Sequence, residues 1–339
     1  MEINLISDTV TRPSKEMLTK MMAANVGDDV FGDDPTVNEL QEKVAKLFGM
    51  EAALFFPSGT MANQVAIKIH TQPGDKMYCD KLAHVYNFEG GGAAFNSGVT
   101  CSLLDGNRGM FTAVQLQEAL TPKDNIHLAL SSLVCVENTT NKGGGACWDF
   151  EELKKIRTVC NENNLNFHLD GARLFNALVV KKESPEQYGK LFDTISICLS
   201  KGLGAPVGSL LIGSKAAMGK ALRVRKLLGG GMRQAGYLAA AAIYALDNNV
   251  NRLADDHKKA KELGDVLKTC TFISEVEPIE TNIVIFYLKN GINEDDFISK
   301  MKAHNVLLIS MGGGKLRMVT HLDYTDDMHQ ACMHVLKSF

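Results

Sequence analysis

Between about residues 52 and 213, short apolar runs alternate with amphipathic stretches, and this alternation restricts the fold more than any other feature. The runs are Ala52–Phe56, Lys76–Cys79, Thr100–Leu104, Leu133–Val136, Asn166–Leu169, Thr194–Leu199 and Val207–Ile212. Nearly continuous apolar character over so few residues is the mark of strands buried on both faces. The stretches between them have helical spacing, as in Asp149–Asn163, where Phe150, Leu153, Ile156, Val159 and Cys160 share one face. Strand and helix in alternation predict an α/β domain with a seven-stranded, mostly parallel sheet covered by helices. The last two runs lie too close together for a crossover helix, so an antiparallel pair is expected there.

The remainder reads differently. An alanine-rich helix (Ala235–Leu246) and a charged helix (Asn251–Lys268) precede three strand-like runs, Thr281–Leu288, Val306–Ile309 and Leu316–Thr320, and two helices, Glu294–His304 and Asp326–Leu336. This order suggests a smaller α+β domain. The expected division is an extended arm over 1–13, a large domain over 14–248 and a small one over 249–339. Pro13 disfavours helix just before it, hence the arm. Glycine triplets at 143–145, 229–231 and 312–314 match no dinucleotide fingerprint and mark turns.

Composition removes several function classes. A net charge of −3 with no long basic run argues against a nucleic-acid or anionic-membrane partner. No apolar run approaches the ~20 residues of a membrane span, and the polar start does not resemble a signal peptide, so a cytoplasmic protein is expected. The eight cysteines form no CxxC pair and read as reduced thiols, not as disulfides or a zinc site. His329 and His334 are not on one helix face, and no metal site is read.

Chemistry is expected at strand ends. Asp170-Gly171-Ala172-Arg173 closes one apolar run and Ser200-Lys201 the next, with Gly202, Gly204 and Gly208 leaving room for close backbone approach. A lysine able to form a Schiff base, and a carboxylate able to keep a pyridinium nitrogen protonated, are what pyridoxal phosphate requires. Ser58-Gly59-Thr60, between a strand and a helix start, would seat a phosphate on free N–H groups. His84 lies just past a strand end, where a histidine can stack on a planar ring or move protons. His168 alternates with Asp170 on one strand face, and Arg317 sits among apolar neighbours where a substrate carboxylate could pair with it. Each residue taken singly has an ordinary reading: a surface lysine, an Asx turn, an N-cap, a surface histidine, a solvent-facing arginine. Together they favour the cofactor.

At these residues the chain resembles the L-threonine aldolases of low specificity, lyases of the aspartate-aminotransferase-like pyridoxal phosphate fold type I. The resemblance runs almost end to end, through SDTVTRPS, GDDVFGDDPTVNELQ, FFPSGTMANQ, AHVYNFEGGG, VENTTN, HLDGARLFNA, SICLSKGLGAPVGS, GGGMRQAG and LRMVTHLD. It implies Lys201 as the Schiff-base lysine and Asp170 as partner of the pyridine nitrogen. Arg173 is implied near the cofactor's O3′, Ser58, Gly59 and Thr60 at its phosphate, and His84 on its ring. Ser7 and Arg317 are implied at the substrate carboxylate and His127 near its hydroxyl. The family assembles as a homotetramer, a dimer of dimers with shared sites, and Arg233 is implied to reach into a neighbouring subunit. Two departures stand out: Phe31 where the family commonly has tyrosine, and Thr140 where it has histidine. Both bear on substrate range and stereochemical preference.

The reaction implied is retro-aldol cleavage of threonine or allo-threonine to glycine and acetaldehyde. His84, His127 and an ordered water are the candidates for the base that takes the β-hydroxyl proton. A β-eliminating lyase or aminotransferase on the same fold, and a pyridoxal phosphate binder without turnover, are the alternatives.

Overall fold

The structure, a computed structural model, describes residues 1–339. Its centre is a seven-stranded sheet in the order Ala52–Phe56, Ser209–Gly213, Thr194–Cys198, Asn166–Gly171, Ser131–Glu137, Lys76–Asp80, Thr100–Leu104. All seven apolar runs are therefore strands of one sheet. Ser209–Gly213 runs antiparallel to both of its neighbours, and the other pairings are parallel. The reversed strand follows from the short return after Cys198. Gly208 has φ +125 there, and a side chain on it would strike the Phe55 ring. Thr194–Cys198 and Ser209–Gly213 are buried at every position, as expected of central strands covered on both faces.

Helices cap the sheet from both sides. Gly59–His70 lies against the strands that carry Asp170 and Ser196, and Pro35–Phe48 packs on Ala52–Phe56 and on Gly236–Asn248. A cluster of 42 buried apolar residues fills this region, running from Met17 to Leu253. At roughly 25 cal/mol per Å² of apolar surface, burial on this scale is the main force holding the sheet and its helices together.

A second cluster of 18 residues lies over the C-terminal region. It packs beneath a four-stranded antiparallel sheet ordered Ile309–Gly312, Lys315–Val319, Ile283–Leu288, Ile273–Val276. The run expected over 306–309 splits in two, and Ile273–Val276 is an additional strand. Of the segment expected to be an extended arm, Ile3–Asn4 is a strand built into this second core and Asp8–Val10 is a 3-10 turn. Ile3–Asn4 pairs in parallel with Val306–Leu307, the Val319 N–H donates to the Leu5 carbonyl, and Ile3 and Leu5 belong to the 18-residue cluster. Ser7 and Asp8, midway along this segment, thus lie where the two cores meet. All eight cysteines are free thiols. No helix is long and apolar enough to cross a membrane.

Candidate active site

The parallel strands deliver their polar residues to one edge. Glu137, Asp170 and Ser196 are in register on three adjacent strands, so their side chains leave from the same face. Here a cleft of about 300 Å³ opens, lined among others by Ser58, Gly59, Thr60, His84, Asp170 and Lys201. The lysine and the carboxylate singled out by the sequence therefore share one cavity.

The phosphate end is set by the helix Gly59–His70. Ser58 is its N-cap and accepts the Met61 N–H at 3.2 Å. The amides of the first turn have no acceptor within the helix, which makes an anion seat. The buried Ser209 hydroxyl beside Gly59 has no partner, and a Cβ on Gly59 would approach it to 3.4 Å. An orphaned hydroxyl next to free amides fits a phosphate with oxygens to spare.

Around Asp170 the polar groups form a closed set. Asp170 accepts the Asn63 side-chain N–H at 2.9 Å and the Ala172 amide at 3.1 Å. Asn63 also donates to Glu89, while its oxygen accepts the Ser196 hydroxyl at 2.7 Å. Glu89 has no exposed side-chain surface and takes three bonds, from Asn63 (2.9 Å), Gln64 (2.6 Å) and the His84 Nδ1–H (3.0 Å). His84 in turn donates its backbone N–H to Glu137 at 2.8 Å. Burial alone would lower the His84 pKa. The Glu89 hydrogen bond and the charges of Asp170, Glu89 and Glu137 outweigh it and hold the pKa above the usual value. His168 lies one layer deeper: its Nε2–H donates to the Asn63 oxygen at 3.2 Å, and burial pushes its pKa down to about 4, so it is neutral.

The arm closes the other side. Arg173 is buried and held by Asp8 in a two-pronged pair, Nε at 2.8 Å and Nη2 at 2.7 Å, which leaves both Nη1 hydrogens and the second Nη2 hydrogen for a ligand. Burial would raise the Asp8 pKa, but Arg173 and, less strongly, Lys201 bring it down to about 2. The Thr11 hydroxyl donates to the Lys201 carbonyl at 3.0 Å. Arg317 donates to the Asn141 side-chain oxygen (2.9 Å) and the Ile6 carbonyl (3.1 Å), and its buried Nε has no partner. No carboxylate of the chain makes a direct ion pair with it, although the charge of Asp8 acts on it from further off. Ser7, next to Ile6, accepts the Thr9 amide at 3.2 Å.

Two residues expected at the site are not brought there within one chain. His127 is exposed and lies ahead of the strand Ser131–Glu137, at the end of the sheet opposite Glu137. Arg233 is half exposed, pairs with Asp28 at 2.8 Å and covers the Phe31 ring. Of the two departures, Phe31 is exposed beneath that arginine, and Thr140 is buried outside the cleft against Gly109 and Gly143. Reading the sequence missed Asp8, Asn63, Glu89, Glu137 and Asn141. The signal for Glu89 and Glu137 was an acid inside an otherwise apolar or glycine-rich stretch.

A sheet of this order with a lysine and an aspartate on one cleft at its edge defines the architecture of pyridoxal phosphate fold type I. Residues 4–290 match the family described as beta-eliminating lyase. The low-specificity L-threonine aldolase of Escherichia coli strain K12 is 45% identical over 322 residues, covering 95% of this chain and 94% of that one. Low-specificity L-threonine aldolase 1 of Arabidopsis thaliana is 38% identical over 334 residues, covering 96% and 93%. The solved structure of threonine aldolase from Leishmania major superposes with a TM-score of 0.86 at 22% identity, over 99% of both chains, and supports the fold. The chain belongs to the beta-eliminating lyase family and, within it, to the low-specificity L-threonine aldolases.

Proposed function

We propose that this protein is a pyridoxal-phosphate-dependent lyase that cleaves L-threonine and L-allo-threonine to glycine and acetaldehyde. The observation that carries this reading is the placement of Lys201 and Asp170 on one cleft. Bound there, pyridoxal phosphate supplies an electron sink for the pair released when a bond at the substrate Cα breaks. Lys201 would hold it covalently and Asp170 would pair with its ring nitrogen. Ser58, Gly59 and Thr60 would hold its phosphate, Arg173 would lie near O3′, and His84 would lie against the ring. Ser7 and Arg317 would bind the substrate carboxylate and so select which Cα bond is oriented for cleavage. An arginine with no carboxylate of its own supports that role. His84, whose Nδ1–H is committed to Glu89, can take the β-hydroxyl proton at Nε2 when the ring is in its neutral form.

His127 and Arg233, remote from the cleft of their own chain, we assign to the cleft of a neighbouring copy in a homotetramer built as a dimer of dimers. Exposed apolar side chains such as Phe95 (90% exposed), Leu227 (78%) and Phe31 (75%) support such contacts. We also propose a division into an arm (1–13), a large domain (14–248) and a small domain (249–339), and a cytoplasmic location consistent with free thiols throughout.

The test is incubation of purified protein with each stereoisomer of threonine and allo-threonine, with aldehyde and keto acid measured together. Aldehyde and glycine in equal amounts are expected. Keto acid as the main product, or no product from any isomer, would overturn the assignment.

A further inference from the structure

One buried acid is not accounted for by any of these roles. Glu137 ends the strand beside Asp170, is almost wholly buried, and makes no bidentate pair with an arginine or lysine. Its two carboxylate oxygens are spent on backbone N–H groups of two different segments. One accepts the His84 amide at 2.8 Å, and the other accepts the Asn141 amide at 2.8 Å. Asn141 is the residue whose side-chain oxygen holds Arg317 at 2.9 Å. The Glu137 carbonyl is itself fixed by the Trp148 indole N–H at 2.9 Å, so the base of the side chain is rigid.

We propose that Glu137 is a positioning residue that sets both walls of the cleft at once, the histidine wall through His84 and the carboxylate-binding wall through Asn141 and Arg317. A residue kept only for packing would not be an acid here. Burial, and then the charge of Asp170, push the Glu137 carboxyl up to about 7, so the site keeps it at a cost in stability. Two N–H bonds, one at each carboxyl oxygen, give a fixed distance between the two segments that an apolar side chain cannot. Lengthening or losing either bond displaces Arg317 or His84 without touching the lysine and aspartate. This inference rests on the function proposed above.

The experiment is a double-mutant cycle on the loaded enzyme, with Glu137→Gln, Asn141→Ala and the pair, read as affinity for glycine by spectral titration. Glutamine keeps the shape but offers one acceptor oxygen and turns an N–H₂ toward the other amide. Glu137→Gln is expected to weaken glycine about tenfold. The double variant is expected to bind no more weakly than Asn141→Ala alone, because Glu137 reaches Arg317 only by way of the Asn141 side chain, which that change removes. Additive losses, or unchanged glycine affinity in Glu137→Gln, would overturn the proposal. Should Glu137→Gln fail to fold, hydrogen exchange of the wild-type protein decides. The His84 and Asn141 amides are expected to be protected like strand amides, and free exchange at either would refute the bridge. If wild type carries no cofactor and cleaves nothing, the functional reading itself fails. If wild type cleaves threonine while the cycle is additive, only the role of Glu137 fails.

Discussion

Asp8 offers the sharpest test of how the arm holds the site. Its carboxylate is fully buried, takes two bonds from Arg173 and one from Asn282 at 3.3 Å, and has its pKa drawn from 3.8 down to about 2. Nearly two pKa units, at 1.36 kcal/mol each, correspond to roughly 2 kcal/mol of stability at neutral pH. Asp8→Asn removes that charge and leaves Arg173 buried without a counter-ion, a situation that typically costs about 3–5 kcal/mol. A loss of about 3 kcal/mol is therefore expected at pH 7, measured by urea unfolding. The direction with pH is also determined. Because the native pKa lies below the unfolded one, the contribution is complete above pH ~4 and disappears as pH falls toward 2. The gap between wild type and Asp8→Asn should accordingly close over that interval. A variant within about 0.5 kcal/mol of wild type at pH 7, or a gap that stays constant into acid, would refute the reasoning.

Two further outcomes follow from the same geometry. Glu89→Gln removes the charged acceptor that does most to raise His84, so the imidazole should titrate lower than in wild type; its NMR titration in the cofactor-free protein checks this, and an unmoved curve counts against the network. Arg317→Lys replaces a two-pronged donor with a point charge and should raise KM for threonine by ten- to a hundredfold, about 1–3 kcal/mol, whereas an unchanged KM would remove the arginine from the carboxylate site.

What could be read from the sequence divides along physical lines. The central strands were legible because they are buried on both faces and therefore largely apolar, Thr194–Cys198 being the clearest case, while the edge strand Thr100–Leu104 is only partly buried. Ile273–Val276 was not, because it is half exposed and carries Ser274 and Glu275 in its middle. Lys201, Asp170, Ser58 and His84 were legible as polar residues at the ends of apolar runs, and the fold brings all four to one cleft. Asp8 was invisible because its partner Arg173 is 165 residues away, and nothing local marks an acid that will be buried. Glu137 and Glu89 lay inside segments that were noticed, but their importance comes from backbone amides and neighbours that only the folded chain supplies. His127 and Arg233 are the converse: family pattern singled them out, and one chain alone leaves them at its surface.

The central claim is that the Lys201 amine carries the cofactor in a cleft it shares with Asp170. Borohydride reduction of the purified protein, followed by digestion and peptide mass mapping, tests it most directly. A pyridoxyl group on the peptide containing Lys201 and on no other lysine is the result this account predicts. A label on a different lysine, or none on protein supplied with pyridoxal phosphate, would contradict it.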